Sequence, residues 1–340
     1  MTVAVTGGAG FLGSRVVAEL LARGHRVRCA VRSLGRGVGV TRGVTSPDLR
    51  NQLQITAGKL ENAEFCREFV ANCDAVVHIA APLTGSVSAL FANGVVPTRV
   101  LVHAASDAGI RRFVLVSSLA VYGTHELSPG AVLDERCPVD RRPHLRDAYT
   151  YSKVVQEEVC WEVHNERGLP LVVVRRGVLF GPGRPLLTAR IGLTIGRVLI
   201  QMGGRHQVPY CFVDNCARAV ALAAETPCVD GMIFNLVDDD LPSANAVLRL
   251  HQRYVSPVRA IKVPGWAIVP FASACEWGSN RSAGMFPPVL TRYKAAAMWK
   301  RLCFSNELAK RRLGWQPTVT FEVGVRRTLS SLAANTATRH

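Results

Sequence analysis

The chain has 340 residues, 48% of them apolar, and a formal charge of +16 from 41 Lys and Arg against 25 Asp and Glu. That length accommodates one α/β domain with a smaller lobe and a sizeable core. The ten cysteines are scattered and none forms a CxxC pair; Cys66 with Cys73 and Cys211 with Cys216 lack partners of zinc-site type, so reduced thiols and no metal centre are expected. No apolar run reaches the roughly 20 residues that span a bilayer. Thr2 to Val5 reads as a core strand, not as part of a signal peptide, so a cytoplasmic protein is expected. The arginines come in isolated doublets such as Arg111-Arg112 and Arg326-Arg327, without interleaved aromatics, and the nucleic-acid class is excluded. The charge suits anionic ligands, with an anionic membrane surface as a secondary reading.

In chain order, VAVTG is followed by a helical pattern over Phe11 to Arg23, with apolar positions at 12, 16, 17, 20 and 21, and then by HRVRCAVRS. DAVVHIAAP, a helix around Val95 to Asp107 and RRFVLVSS come next. A long helix over Tyr149 to Arg167 precedes LPLVVVRRG. Continuous β-branched runs separated by helices predict a doubly wound parallel sheet of Rossmann type, buried on both faces. CFVDNCARAVALAAE and MIFNLVD add one more helix and strand. The domain is therefore expected over 1–181 and 207–237. A smaller, mostly C-terminal substrate lobe is expected over 182–206 and 238–340, closing over the carboxyl ends of the strands.

The first turn, TGGAGFLG, spaces Gly7, Gly10 and Gly13 as GxxGxxG. Between a strand and a helix, such glycines permit a tight turn, a close approach to a pyrophosphate, and close packing of helix on strand. The helix N-terminus then offers free N–H groups to the phosphates, beside Phe11 and Leu12. The acidic residue that would hold a ribose 2′-hydroxyl should close the second strand. That place is Val31, followed by Arg32, with Arg28 nearby. An arginine gives bidentate, charge-assisted bonds to a 2′-phosphate, so NADP(H) is expected over NAD(H).

In YTYSK, residues 149–153, positions i and i+4 share a helix face. Tyr149 therefore points with Lys153, and Tyr151 points elsewhere. A neighbouring ammonium favours a phenolate, which makes Tyr149 a proton donor and acceptor for a hydroxyl/carbonyl pair.

The order and intervals of TGGAGFLG, DAVVHIAAP, VLVSSLAVYG, YTYSK and RRGVLFGPG, with LGWQP near the end, resemble the extended short-chain dehydrogenase/reductase family, often labelled NAD-dependent epimerase/dehydratase. The resemblance covers nearly the whole chain. It implies Tyr149 as the catalytic acid/base, Lys153 as its electrostatic partner and ribose contact, and Ser118, with Ser117 as competitor, as the group that bonds the substrate oxygen. It places Ala80, Ala81 and Pro82 along the cofactor, with Asn93 and Gly177 as further contacts. Pairing through the tyrosine helix, as a homodimer, is the family analogy.

Two residues depart from the family pattern: Lys59 stands where an aspartate is common, and Arg176 stands where proline is usual. Val208 and Asn215 replace an arginine and an aspartate of nucleotide-sugar enzymes, and no RxGD occurs, although Arg205 or Arg292 could substitute. The expected activity is thus interconversion of a secondary alcohol and a ketone by hydride transfer. The resemblance points to the 3β-hydroxysteroid-dehydrogenase-like or dihydroflavonol-reductase-like branch. A nucleotide-sugar epimerase or dehydratase and a non-catalytic NADP-binding regulator are the rivals. His78, inside a buried strand, is read as a core histidine.

Overall fold

Seven strands form one parallel sheet: β1 (Thr2–Thr6), β2 (Arg26–Val31), β3 (Leu53–Ala57), β4 (Ala75–His78), β5 (Arg112–Ser118), β6 (Leu171–Arg176) and β7 (Met232–Leu236). Their spatial order is β7-β6-β5-β4-β1-β2-β3. The computed structural model describes residues 1–41, 44, 46–281 and 290–337. Side chains alternate across the strands, so most strands feed two cores. Val3, Val5, Val114, Val116, Val172 and Val174 enter one, and Ala4, Phe113, Leu115, Leu171 and Val173 enter the other. Burial on both faces explains why the strands read as unbroken apolar runs.

The first core is covered by α1 (Phe11–Ala22) and a helix over Val213–Glu225. The second is covered by α2 (Val96–Asp107) and α3 (Ala148–Arg167). The continuous helical stretch Val87–Asp107 has the length and composition of a membrane span. Leu101, Val102, Ala104 and Ala105 of that stretch lie in the second core, which accounts for its apolar character. Strand order reverses direction between β1 and β4, and ligands of open α/β sheets bind outside the carboxyl ends of strands at such a point.

A three-stranded sheet over Gly192–Ile195, Val198–Met202 and Arg259–Val263 builds the smaller lobe. Phe180, Leu186, Ile191, Tyr210, Val247 and Phe321 form a separate core there. The C-terminal part divides differently from the sequence reading. Ala309 and Leu313 of the helix Glu307–Leu313, and the fully buried Trp315, join the first core of the large sheet. The Trp315 indole N–H donates to the Asn215 carbonyl at 2.9 Å. All ten cysteines are free thiols.

Candidate active site

The turn after β1 is built for a bare main chain. Gly7 has φ +72, and a Cβ there would stand 2.8 Å from the Ala80 nitrogen. A Cβ on Gly13 would stand 2.0 Å from the Gly7 carbonyl oxygen, so helix and turn touch backbone to backbone. Gly10 caps α1 without a side-chain bond, and the first turn holds no acidic residue, so its N–H groups face outward uncapped. A cleft of about 860 Å³ opens over this turn. Its walls include Gly7, Gly10, Phe11, Leu12, Gly13, Arg32, Ala80, Ala81 and Lys153, together with Pro82 and Asn93. A cradle that any Cβ would fill, at a helix N-terminus, fits the diphosphate of a dinucleotide.

Arg32, Lys59 and Glu61 are exposed along the wall of this cleft. Arg28 faces the other way: its guanidinium donates to Gln54 Oε1 at 2.9 Å and to the Phe69 and Ala71 carbonyls. Gly177 is also no wall of the cleft; a Cβ there would meet the Pro209 oxygen at 2.1 Å, so its bareness serves packing.

The Ala80 loop is held by a chain of hydrogen bonds that spacing does not reveal. Thr6 Oγ1 accepts from the Ile79 and Ala80 amides at 3.2 and 3.3 Å and lies 2.7 Å from His78 Nδ1. His78 Nε2 lies 2.9 Å from Thr98 Oγ1, which itself donates to the Gly94 carbonyl. Only one assignment satisfies every group: Thr6 donates to Nδ1, and Nε2–H donates to Thr98. Burial, with Lys153 nearby, pushes His78 down to about 3, which keeps it neutral. The core reading of His78 holds, and it adds a task, the positioning of the cofactor-side loop.

The catalytic candidates converge from β5, β6 and α3. Asp147 caps α3 by accepting from the Thr150 amide at 2.7 Å, which fixes where Tyr149 leaves the first turn. Lys153 lies one turn on, buried, and donates to the Val116 carbonyl at 2.9 Å and to Gln156 Oε1 at 3.2 Å. Burial, then the Arg176 charge, pushes its ammonium down to about 7. Tyr151 points elsewhere, its ring 4.8 Å from Phe91. Ser118 ends β5, and its hydroxyl oxygen accepts from the Ala120 amide at 3.2 Å. Arg146 steadies that turn by donating to the Ala120 carbonyl at 2.8 Å. Ser117 is fully buried one residue earlier, and its hydroxyl has no hydrogen-bond partner among the described residues.

Comparison with known proteins decides the kinship. The model of the NAD dependent epimerase/dehydratase family matches residues 3–236. The chain belongs to this family. It is an NAD(P)-dependent enzyme of the extended short-chain dehydrogenase/reductase type. Cinnamoyl-CoA reductase 1 of Petunia hybrida is 31% identical over 67% of this chain and 70% of its own. The 3-beta-hydroxysteroid dehydrogenase of Mycolicibacterium neoaurum is 27% identical over 94% of this chain and 88% of its own. Among solved structures, the UDP-glucuronic acid 4-epimerase of Bacillus cereus in complex with NAD shares the fold at a TM-score of 0.73, with 20% identity over 98% of this chain and 99% of that one.

Asn215, a departure from the nucleotide-sugar enzymes, and Arg176, a departure from the family pattern, each acquire a physical meaning. Asn215 is buried and uses every polar atom of its amide. Its Oδ1 accepts from the Thr318 and Val319 amides, and its Nδ2 donates to Asp238 Oδ1 and the Val319 carbonyl, each at 2.8 Å. Arg176 ends β6 directly beside Ser118, its Cα partner on β5. Its guanidinium donates to Tyr149 Oη at 3.2 Å and to the Gly177 carbonyl at 3.1 Å. The helix face shared by Gln156 and Lys153 was open to spacing arguments; Arg146 and Thr6, by contrast, act across the fold. Arg292, offered as a stand-in pyrophosphate clamp, is bound to Glu276 at 3.0 Å. Among the described residues, no group of His, Cys, Asp and Glu could hold a metal ion.

Proposed function

We propose that the protein is an NADP(H)-dependent oxidoreductase that interconverts a secondary alcohol and a ketone. The observation that carries this reading is Lys153, one turn from Tyr149 on α3, bonded to β5 and lining the cleft over the glycine cradle, with Tyr149 bonded to Arg176, the register partner of Ser118. When bound, the cofactor supplies the hydride. The Ser118 hydroxyl and the Tyr149 phenol donate to the ketone oxygen and orient it. The Tyr149 proton passes to that oxygen as negative charge develops there. Lys153, one turn along the same helix, favours the resulting phenolate. In the oxidative direction the same groups run in reverse.

Arg32 and Lys59 at the mouth of the cleft support the preference for a 2′-phosphate. A ketone or alcohol substrate is favoured over a sugar nucleotide because Val208 carries no charge, Asn215 is committed to the fold and Arg292 to Glu276. The dehydrogenase relative matches along most of the chain, which includes the lobe that would enclose the substrate.

The test is turnover of a panel of ketones with NADPH by the wild type and by Tyr149→Phe. The variant is expected to bind NADPH normally and to lose about 10²–10⁴-fold in kcat. A Tyr149→Phe enzyme with wild-type turnover would overturn the assignment.

A further inference from the structure

At the carboxyl end of β6, three cations meet one carboxylate. Lys153, Arg175 and Arg176 gather there, and Glu157 is committed to Arg175, with Nη2 to Oε2 at 2.6 Å, both side chains buried. Arg176 has no carboxylate partner among the described residues; its two acceptors, Tyr149 Oη and the Gly177 carbonyl, are neutral oxygens. It is half-buried and lines the cleft. A guanidinium at a cleft wall with no carboxylate partner is open to an anion from outside the chain.

We propose that Arg176 is a substrate-recognition residue that binds a carboxylate standing two or three bonds from the reacting carbonyl carbon. The inference rests on the ketone-reducing reading above and names its substrate class, 3-oxo and 4-oxo acids and the corresponding hydroxy acids. The Tyr149–Arg176 distance limits how far apart the ketone and the carboxylate can stand. The substrate oxygen must lie one hydrogen bond from Tyr149 Oη, and Arg176 Nη2 lies 3.2 Å from the same atom. A carboxylate oxygen one charge-assisted bond, about 2.8 Å, from the guanidinium is then a near neighbour of the ketone oxygen. A chain of two or three bonds spans that gap and a longer one must fold back. Ser118, beside Arg176 in the strand register, is left to hold the ketone oxygen. Each terminal nitrogen of Arg176 carries a second N–H, so the planar fork takes a carboxylate while keeping its bond to Tyr149.

The experiment compares a medium-chain 3-oxo acid with its methyl ester, using NADPH and the wild type, Arg176→Met and Arg176→Lys. The wild type is expected to prefer the acid. Arg176→Met should lose about a hundredfold in kcat/KM on the acid and less than about threefold on the ester, the size of an ionic contact that has lost one partner. Arg176→Lys should recover part of the acid activity. An equal loss on acid and ester would assign Arg176 to the proton relay and overturn the inference, as would no loss on either. Calorimetric titration of the 3-hydroxy acid into enzyme loaded with oxidised cofactor reads the ion pair without turnover. Equal affinity for the wild type and Arg176→Met would overturn the proposal even if ketones are reduced. A selective loss of binding would uphold it even if the hydride step fails.

Discussion

Lys153 Nζ donates to the Val116 carbonyl at 2.9 Å, which pins the helix carrying Tyr149 to the strand that ends in Ser118. The lysine thus has a structural bond beside the electrostatic task proposed for it. Both are exercised in a site where burial penalises its charge.

That penalty makes a prediction about pH. Unfolded, the lysine keeps its proton to about 10.5; folded, it releases it near 7. Between those values the unfolded chain binds more protons, so stability contributed by this site rises with pH. The penalty is complete below pH 7 and fades toward 10. Urea unfolding of the wild type and Lys153→Met, at steps from pH 6 to 9.5, should show the wild type gaining on the variant as pH rises above 7. A difference that stays level with pH would contradict this account of the buried ammonium.

The glycine turn yields a steric prediction. In Gly13→Ala the new methyl would fall 2.0 Å from the Gly7 carbonyl oxygen, so α1 must move off the turn. Thermal unfolding should register a loss of about 1–3 kcal/mol. Fluorescence titration should show NADPH affinity falling more than about tenfold, because the uncapped N–H groups shift with the helix. Wild-type affinity in a folded variant would remove the phosphates from this turn.

The proposed preference for NADPH is tested at one exposed side chain, Arg32. Replacement in Arg32→Ala should raise KM for NADPH by about tenfold, the share of a charge-assisted bond that survives solvent screening. KM for NADH should be nearly unchanged. Equal effects on both cofactors would show that Arg32 does not read the 2′-phosphate.

Asn215 forbids the aspartate it replaces. Its Nδ2 lies 2.8 Å from Asp238, a buried carboxyl that burial already raises to about 7. In Asn215→Asp two carboxylates would face each other without the bridging donor. Stability at pH 8 should fall by about 2–4 kcal/mol. The loss should shrink as pH drops below about 7, since one shared proton relieves the repulsion. Melting curves at pH 5.5 and 8 would check this, and a larger penalty at the lower pH would contradict it.

What could be read from the residues alone was local. The β-branched runs, the bare glycines at 7, 10 and 13, and the helical interval between Tyr149 and Lys153 each carry their reason within a few positions. The Thr6–His78–Thr98 chain was not legible, because it joins residues 72 and 20 positions apart. Nor was the return of Trp315 to the core, 100 residues from its Asn215 partner. Arg28 and Arg32 share one parity along the strand, so spacing does not separate them, and only the fold shows Arg28 turned to Gln54 and the Phe69 carbonyl. Arg176 stood out in sequence as a departure, but its partner Tyr149 lies 27 positions away on a different element.

The proposed hydride transfer with its Tyr149 proton relay is tested most directly by following one atom. The enzyme would be given a ketone and NADPH carrying deuterium at the transferable position of the nicotinamide, and the product examined by mass spectrometry and NMR. Deuterium should appear on the carbinol carbon with a single configuration, and Tyr149→Phe should deliver it at no more than about a hundredth of the wild-type rate. A carbinol carbon free of deuterium, or transfer by Tyr149→Phe at the wild-type rate, would contradict the account.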